Sequence, residues 1–168
     1  MSEVLKIYQV RQGCTIPTFG TPQSACFDVY SCLHDEDELV GYNTKCEKIQ
    51  KNVCNSNVEI YPDDRVLIPT GIIFDIPSGY SMRLHPRSGL SLKNGIVLAN
   101  HEAIIDEDYV EETMIMLHNI SNKVFTVEHG MRLCQGELVK NVAVKFEVTL
   151  SRPEQTDRTG GFGSTGTN

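Results

Sequence analysis

The chemistry-bearing side chains of this chain gather in a few short stretches beside glycines and prolines. Ile104-Ile105-Asp106-Glu107-Asp108-Tyr109 puts carboxylates directly after an apolar run. That is the rim of a core, where one carboxylate can serve as general base on a water. By itself the stretch reads as readily as a turn with solvated acids. Pro86-Arg87-Ser88-Gly89-Leu90-Ser91 follows an alternating segment. A glycine turn at a strand end turns backbone N–H groups outward, and the Arg87 guanidinium and Ser88 hydroxyl beside them suit phosphate oxygens. A plain strand-terminating turn fits equally. Gly130-Met131-Arg132-Leu133-Cys134-Gln135 reads as a turn into a strand carrying Arg132 and Gln135, or as a hairpin with a structural arginine.

The most specific stretch is the tail, Arg158-Thr159-Gly160-Gly161-Phe162-Gly163-Ser164-Thr165-Gly166. Its glycines, hydroxyls and one guanidinium can wrap an anion. Its one aromatic can stack on a base, a contact worth ~1–3 kcal/mol.

The elements that must position these residues are strands. Val142, Val144, Phe146 and Val148 alternate with Ala143, Lys145 and Glu147 at period two, predicting a strand. Ser81-Met82-Arg83-Leu84 and Arg65-Val66-Leu67-Ile68 alternate too. Ile72 to Ile76 and Met114 to Leu117 read as strands buried on both faces. Pro62-Asp63-Asp64, Pro69-Thr70-Gly71, Pro77-Ser78-Gly79, Lys93-Asn94-Gly95 and His129-Gly130 punctuate them as turns. Ser88 to Asn94 can form one short helix. The fold class is therefore all-β, a sandwich, jelly roll or barrel. The division is a β domain over 1–150 and a tail over 151–168, too poor in apolar residues to order itself. His34 to Asn57 reads as a polar insertion, a long loop or hairpin arm, and most simply a solvated excursion.

Length and composition bound the function. With 168 residues the chain makes one domain and can bury roughly 70% of its unfolded surface, so folding requires neither disulfide nor metal. A formal charge of −7 argues against nucleic acid and anionic membranes as partners. Met1 to Val10 lacks a signal-peptide core, and no apolar run approaches the ~20 residues of a membrane helix. The expectation is a cytoplasmic protein with reduced thiols. The six cysteines include no Cys-x-x-Cys pair, so zinc is not expected; Cys46 and Cys54 are the pair to check.

Taken with Ser24-Ala25-Cys26-Phe27-Asp28-Val29-Tyr30-Ser31 and Gly95-Ile96-Val97-Leu98-Ala99-Asn100, these stretches stand in a familiar order. The sequence resembles the homotrimeric dUTP diphosphatases (dUTPases) from about Ser24 to Gly166, the 34–57 insertion excepted. Cys26 and Glu111 stand where that family usually has Gly, and the Arg158–Phe162 spacing is one residue short.

The resemblance implies a jelly-roll-like subunit, a trimer with shared sites, and hydrolysis of dUTP to dUMP and pyrophosphate with Mg²⁺. Such an enzyme keeps uracil out of DNA and supplies dUMP for thymidylate synthesis. Asp106 matches the carboxylate that deprotonates the attacking water. Tyr109 matches the residue packed on the deoxyribose, and Asn100 lies in the hairpin that reads uracil. Ser88 and Gly89, with Arg87 beside them, and Gln135 match phosphate-binding positions. Arg158, Gly163, Ser164 and Thr165 would close over the γ-phosphate while Phe162 stacks on the base. Asp28 would approach the metal through water, and Arg132 divides between a structural role and the phosphate field. The alternatives are a dCTP deaminase relative, for which the segment Met116-Leu117-His118-Asn119 lacks the expected Glu, and a regulatory protein that binds partners through the insertion.

Overall fold

Segments that alternate apolar and polar residues have one face to bury, and two such sheets bury theirs against each other. A computed structural model describes residues 3–155 and residue 157 of the chain. The strands and helix run in the order β1 (Lys6–Gln9), β2 (Thr18–Phe19), β3 (Phe27–Tyr30), β4 (Glu38–Tyr42), β5 (Lys48–Asn52), β6 (Asn57–Ile60), β7 (Arg65–Pro69), β8 (Ile72–Asp75), β9 (Tyr80–Pro86), α1 (Ser88–Asn94), β10 (Ile96–Leu98), β11 (Ala103–Ile105), β12 (Met114–Asn119), β13 (Phe125–Glu128) and β14 (Arg132–Lys140). One five-stranded sheet has the order β10-β12-β7-β4-β5 and the other β11-β9-β14-β3-β2, with small ribbons β1-β8 and β13-β6. Every strand pairing among these is antiparallel. The all-β reading holds.

The core lies between the sheets. Val66, Ile68, Ile115, Leu117, Ile96 and Leu98 bury from the first, and Phe27, Val29, Met82, Leu84, Leu133 and Cys134 from the second. Strands β8 and β12 are buried on one face only, against the two-faced burial expected for them: Ile73 is half-buried and Met116 exposed. Each lies in a sheet with only one face turned to the core, so an apolar run in sequence does not mean two-sided burial. Burial pushes the Cys134 thiol up. The Cys32 thiol is also pushed up, to about 11, by burial and then by the Cys14 thiol beside it.

Two further expectations are corrected. The 34–57 segment is not a solvated excursion: β4 and β5 form a hairpin that joins the first sheet through β7. Leu39 and Val53 anchor it in the core. Lys51 Nζ meets the largely buried Asp64 Oδ2 at 2.8 Å, and Arg11 bridges Asp37 (2.7 Å) to Glu112 (2.8 Å). Burial works against the Arg11 charge, but hydrogen bonds to Asp37 and Glu112 outweigh it and raise its pKa. Charge that looks solvated in sequence is here paired across elements.

The second correction concerns residues 142–148, which form no strand. Asn141 N–H still donates to Gly79 O at 2.8 Å. Beyond it the apolar side chains stand in solvent, with Phe146 98% and Val148 95% exposed. An alternating segment becomes a strand only where a sheet edge accepts it, and this segment pairs with no edge of its own chain.

Two glycines are required by geometry. Gly95 ends α1 at φ 65°, in the left-handed region, and its N–H caps the carbonyls of Leu90 and Ser91. Gly136 in β14 lies against the Phe27 ring, and an added Cβ would overlap its Cε2 and Cζ atoms. Replacing Gly136 by Ala must displace a buried aromatic. Gly136→Ala is expected to lower stability by about 1–3 kcal/mol, read as a shifted midpoint in chemical denaturation with unchanged slope.

Candidate active site

Strand β14 is the middle of the second sheet, between β9 and β3, and its register assembles the site. Gln135 lies opposite His85 on one side and Asp28 on the other. The residues between them, Gly136, Leu84 and Phe27, face the core. Gln135, Asp28 and His85 therefore share the outward face of the sheet, while the strand alternation keeps the apolar half buried.

Asp28 is only 6% exposed because two arginines cover it. Arg87, which follows β9, brings Nε to 3.3 Å from Asp28 Oδ1. Arg132, displaced by a register shift at the start of β14, brings Nη1 to 3.4 Å from Oδ2. Arg87 Nη1 also donates to the Arg132 carbonyl at 3.1 Å. Two guanidiniums share one carboxylate, so the cluster has local positive charge within a molecule of net charge −7. Asp28 Oδ1 is buried yet has no hydrogen-bond partner among the described residues, so it retains capacity to accept one. Ser88 and Gly89 open α1 and are exposed directly beside Arg87. The first N–H groups of any helix have no intrahelical acceptor. The structure thus brings together Asp28, Arg87, Ser88, Gly89, Arg132 and Gln135. The direct Arg132–Asp28 contact was not resolved from sequence, because the register shift that produces it leaves no local signal.

Asp106 and Tyr109 lie elsewhere. Asp106 follows β11 and is exposed, as a carboxylate at a strand end should be. Tyr109 N–H donates to the Asp106 carbonyl at 3.1 Å, and Tyr109 Oη donates to the Glu112 carbonyl at 3.1 Å. Glu112 is itself fixed by Arg11 and by Gly71 N–H. Glu111 is exposed and precedes β12 without entering it, so its bulk meets solvent. Asn100 is exposed in the connection between β10 and β11. These strands belong to different sheets, so the connection crosses between sheets, and the hairpin expected around Asn100 is not formed within one sheet. His101 adopts φ 61° there, and Glu102 N–H donates back to Asn100 O.

Strand β9 sets these two groups apart. Ile105 lies opposite Met82 and Ala103 opposite Leu84, so Asp106 emerges toward the Ser81 end of β9. Arg87 leaves the other end. From Met82 to Arg87 the backbone alone spans roughly 17 Å at about 3.3 Å per residue. Within one chain, most of the length of β9 therefore lies between Asp106 and the point where Arg87 begins. Arg158, Phe162, Gly163, Ser164 and Thr165 lie outside the described residues.

The comparisons with known proteins agree with this architecture. The dUTPase family model matches residues 53–166. The deoxyuridine 5'-triphosphate nucleotidohydrolase of Brucella melitensis is 33% identical over 156 residues, covering 93% of this chain and 87% of that one. Among solved structures, a point mutant of the dUTPase of Staphylococcus bacteriophage 80alpha with dUpNHpp superposes with a TM-score of 0.76 at 19% identity. It covers 98% of this chain and 99% of that chain. The dUTPase of S. aureus phage phi11, described with a structural Mg(II) ion, gives a TM-score of 0.69 at 16% identity, covering 89% and 98%. The order of the motif stretches, the antiparallel sandwich beneath them and the match over most of the chain lead to one conclusion: this chain belongs to the dUTPase family.

Proposed function

We propose that the protein hydrolyses dUTP to dUMP and pyrophosphate at sites shared between three copies of the chain. Family membership supports the reaction. The observation that carries the shared site is the separation of Asp106 from the Arg87–Asp28–Arg132 cluster along β9. A site that needs both must take them from different chains. The exposed apolar face of Val142, Val144, Phe146 and Val148 supports the same arrangement. An apolar groove lined by Leu5, Ile7, Pro17, Phe19 and Leu138 offers such a segment of a neighbouring copy a place to bury.

In this reading the Asp106 carboxylate of one chain orients a water and takes its proton as the oxygen attacks the α-phosphorus. The P–O bond to the bridging oxygen breaks, and pyrophosphate leaves with that oxygen. Most of the acceleration is positioning and charge neutralisation. Arg87, Gln135 and the Ser88–Gly89 turn of another chain hold the phosphates. Tyr109, pinned through Glu112, packs on the deoxyribose and leaves no room for a 2′-hydroxyl. Asn100 reads the uracil edge. The tail brings Phe162 onto the base, and Arg158 with Gly163, Ser164 and Thr165 onto the γ-phosphate.

Asp28 is the carboxylate of this cluster that would face Mg²⁺ through the ion's waters; because Arg87 and Arg132 already pair with it, the phosphate oxygens rather than the protein would hold the ion. Bound there, Mg²⁺ would neutralise charge on the leaving pyrophosphate. The deaminase alternative is not favoured, since the family model and the curated relative described above are those of dUTP nucleotidohydrolases. The regulatory alternative, partner binding through the 34–57 insertion, is likewise not favoured, since family membership supports the hydrolase reading.

Three assays test the reading. Asp106→Asn is expected to retain nucleotide binding and lose turnover by a factor of about 10²–10⁴, measured as pyrophosphate release. Near-normal rates would remove Asp106 as the base. Asp106→Asn and Arg87→Ala subunits, refolded together, are expected to recover part of the activity that each lacks alone; no recovery would mean that each site draws on one chain. Truncation after Glu154 is expected to leave an assembled protein with sharply reduced kcat/KM for dUTP, and an unchanged value would exclude the tail from the site.

A further inference from the structure

Next to the phosphate cluster, on the same outward face of the second sheet, lies a group of side chains that the proposed hydrolysis does not use. Cys26 immediately precedes β3, His85 is in β9 and Glu137 is in β14. Phe27 pairs with Gly136, which places Cys26 beside Glu137. Gln135 pairs with His85, which places His85 diagonally across from Glu137 on the same face. The Cys26 Sγ, one imidazole nitrogen of His85 and a carboxylate oxygen of Glu137 all lie within 4.8 Å of one another. Among the described residues, this is the one group of three such donors that close.

We propose that Cys26, His85 and Glu137 form a binding site for a borderline-soft divalent transition metal, Zn²⁺ in the first instance, distinct from the Mg²⁺ that accompanies the nucleotide. The donor set selects the ion. Thiolate and imidazole favour Zn²⁺ over Mg²⁺, which takes oxygen ligands and keeps its waters. One sulfur, one nitrogen and one carboxylate oxygen fill three of the four positions of a tetrahedral zinc and leave the fourth to water.

The surroundings fit. His85 Nε2 lies 3.2 Å from Glu137 Oε2, which makes it the ring nitrogen assigned to the ion. The other ring nitrogen, Nδ1, lies 3.4 Å from Glu102 Oε1. Metal-bound histidines characteristically give their second N–H to a carboxylate, which fixes the tautomer and raises ligand basicity. Glu102 also lies 3.9 Å from Arg83 Nη1, which helps to hold it in place. A histidine shared between two carboxylates would explain His85, Glu102 and Glu137 as an ion-pair network. It would not explain a thiol within reach of both partners. Burial and the Glu137 carboxylate push the Cys26 thiol up. A bound ion would tie β3, β14 and β9 together across the sheet that supports Asp28 and Arg87.

The test is a cobalt titration of the full chain after chelator treatment and dialysis. Co²⁺ reports thiolate ligation through a sulfur-to-metal charge-transfer absorption, and Zn²⁺ should displace it. The expected result is one Co²⁺ per chain, with that absorption lost in Cys26→Ser and affinity reduced at least tenfold in His85→Gln. It should be retained when the exposed Cys46 and Cys54 are both changed to Ser. Glu102→Gln should keep the absorption and weaken binding by about 10–100-fold, the usual effect of removing a partner of a metal-bound histidine. Absence of the absorption in the full chain, its persistence in Cys26→Ser, or its loss with Cys46 and Cys54 would overturn the proposal. If Cys26→Ser does not fold, X-ray absorption at the cobalt edge of the unaltered protein decides. One sulfur and at least one imidazole nitrogen support the site, and a shell of oxygens alone excludes it. None of these readouts depends on turnover of dUTP.

Discussion

The contact between the Phe27 ring and the bare backbone of Gly136 is the constraint on which the functional face depends. It lets β3 and β14 approach with an aromatic ring packed against the middle strand, in the register that sets Gln135 beside Asp28 and His85. A slip of one residue would turn each of these polar side chains into the core and bring Val29, Cys134 and Leu84 to the surface. Burial of those apolar residues therefore keeps the carboxylate, the amide and the imidazole outside. The stability of the sandwich and the placement of its chemistry are one packing problem.

Electrostatics then divides the face. The molecule as a whole is acidic, which disfavours polyanions, whereas Asp28 draws two guanidiniums onto a single carboxylate and leaves local positive charge. A small anion feels that cluster at close range, while more distant surface charge is screened within about 8–10 Å. One row along, at Cys26, His85 and Glu137, the donors are softer and the balance changes. Neighbouring rows of one sheet can thus favour different ligands, because each side chain lies only a few ångströms from the next on its face and the partners across the strands differ.

Much of the fold is legible in the residues. Period-two alternation at Arg65–Ile68 and Ser81–Leu84 marks strands, and Gly71, Gly79, Gly95 and Gly130 at predicted turns adopt positive φ, whereas Gly89, also read as a turn glycine, lies in α1. Local sterics and side-chain alternation decide these features, and both are written in short windows. The 142–148 segment shows the limit. Its alternation is as regular as that of any strand, but a strand also needs an edge to bind, and that edge is not in the segment. The 34–57 segment fails in the opposite sense. Its charges suggest solvation, yet Lys51 and Asp37 pair with Asp64 and Arg11 from other elements.

The sequence by itself determined the family and the antiparallel β class, and it singled out candidate residues for phosphate and proton-transfer chemistry, because motif order and side-chain chemistry are properties of the chain read end to end. Only the tertiary structure decided which of them meet. It joined Asp28 to both Arg87 and Arg132, separated Asp106 from them by the length of β9, and brought Cys26, His85 and Glu137 from three strands to one point. The physical reason is that cross-strand neighbours are set by register and by a bulge. Both depend on the packing of the whole sheet, and neither leaves a spacing in the sequence to be read.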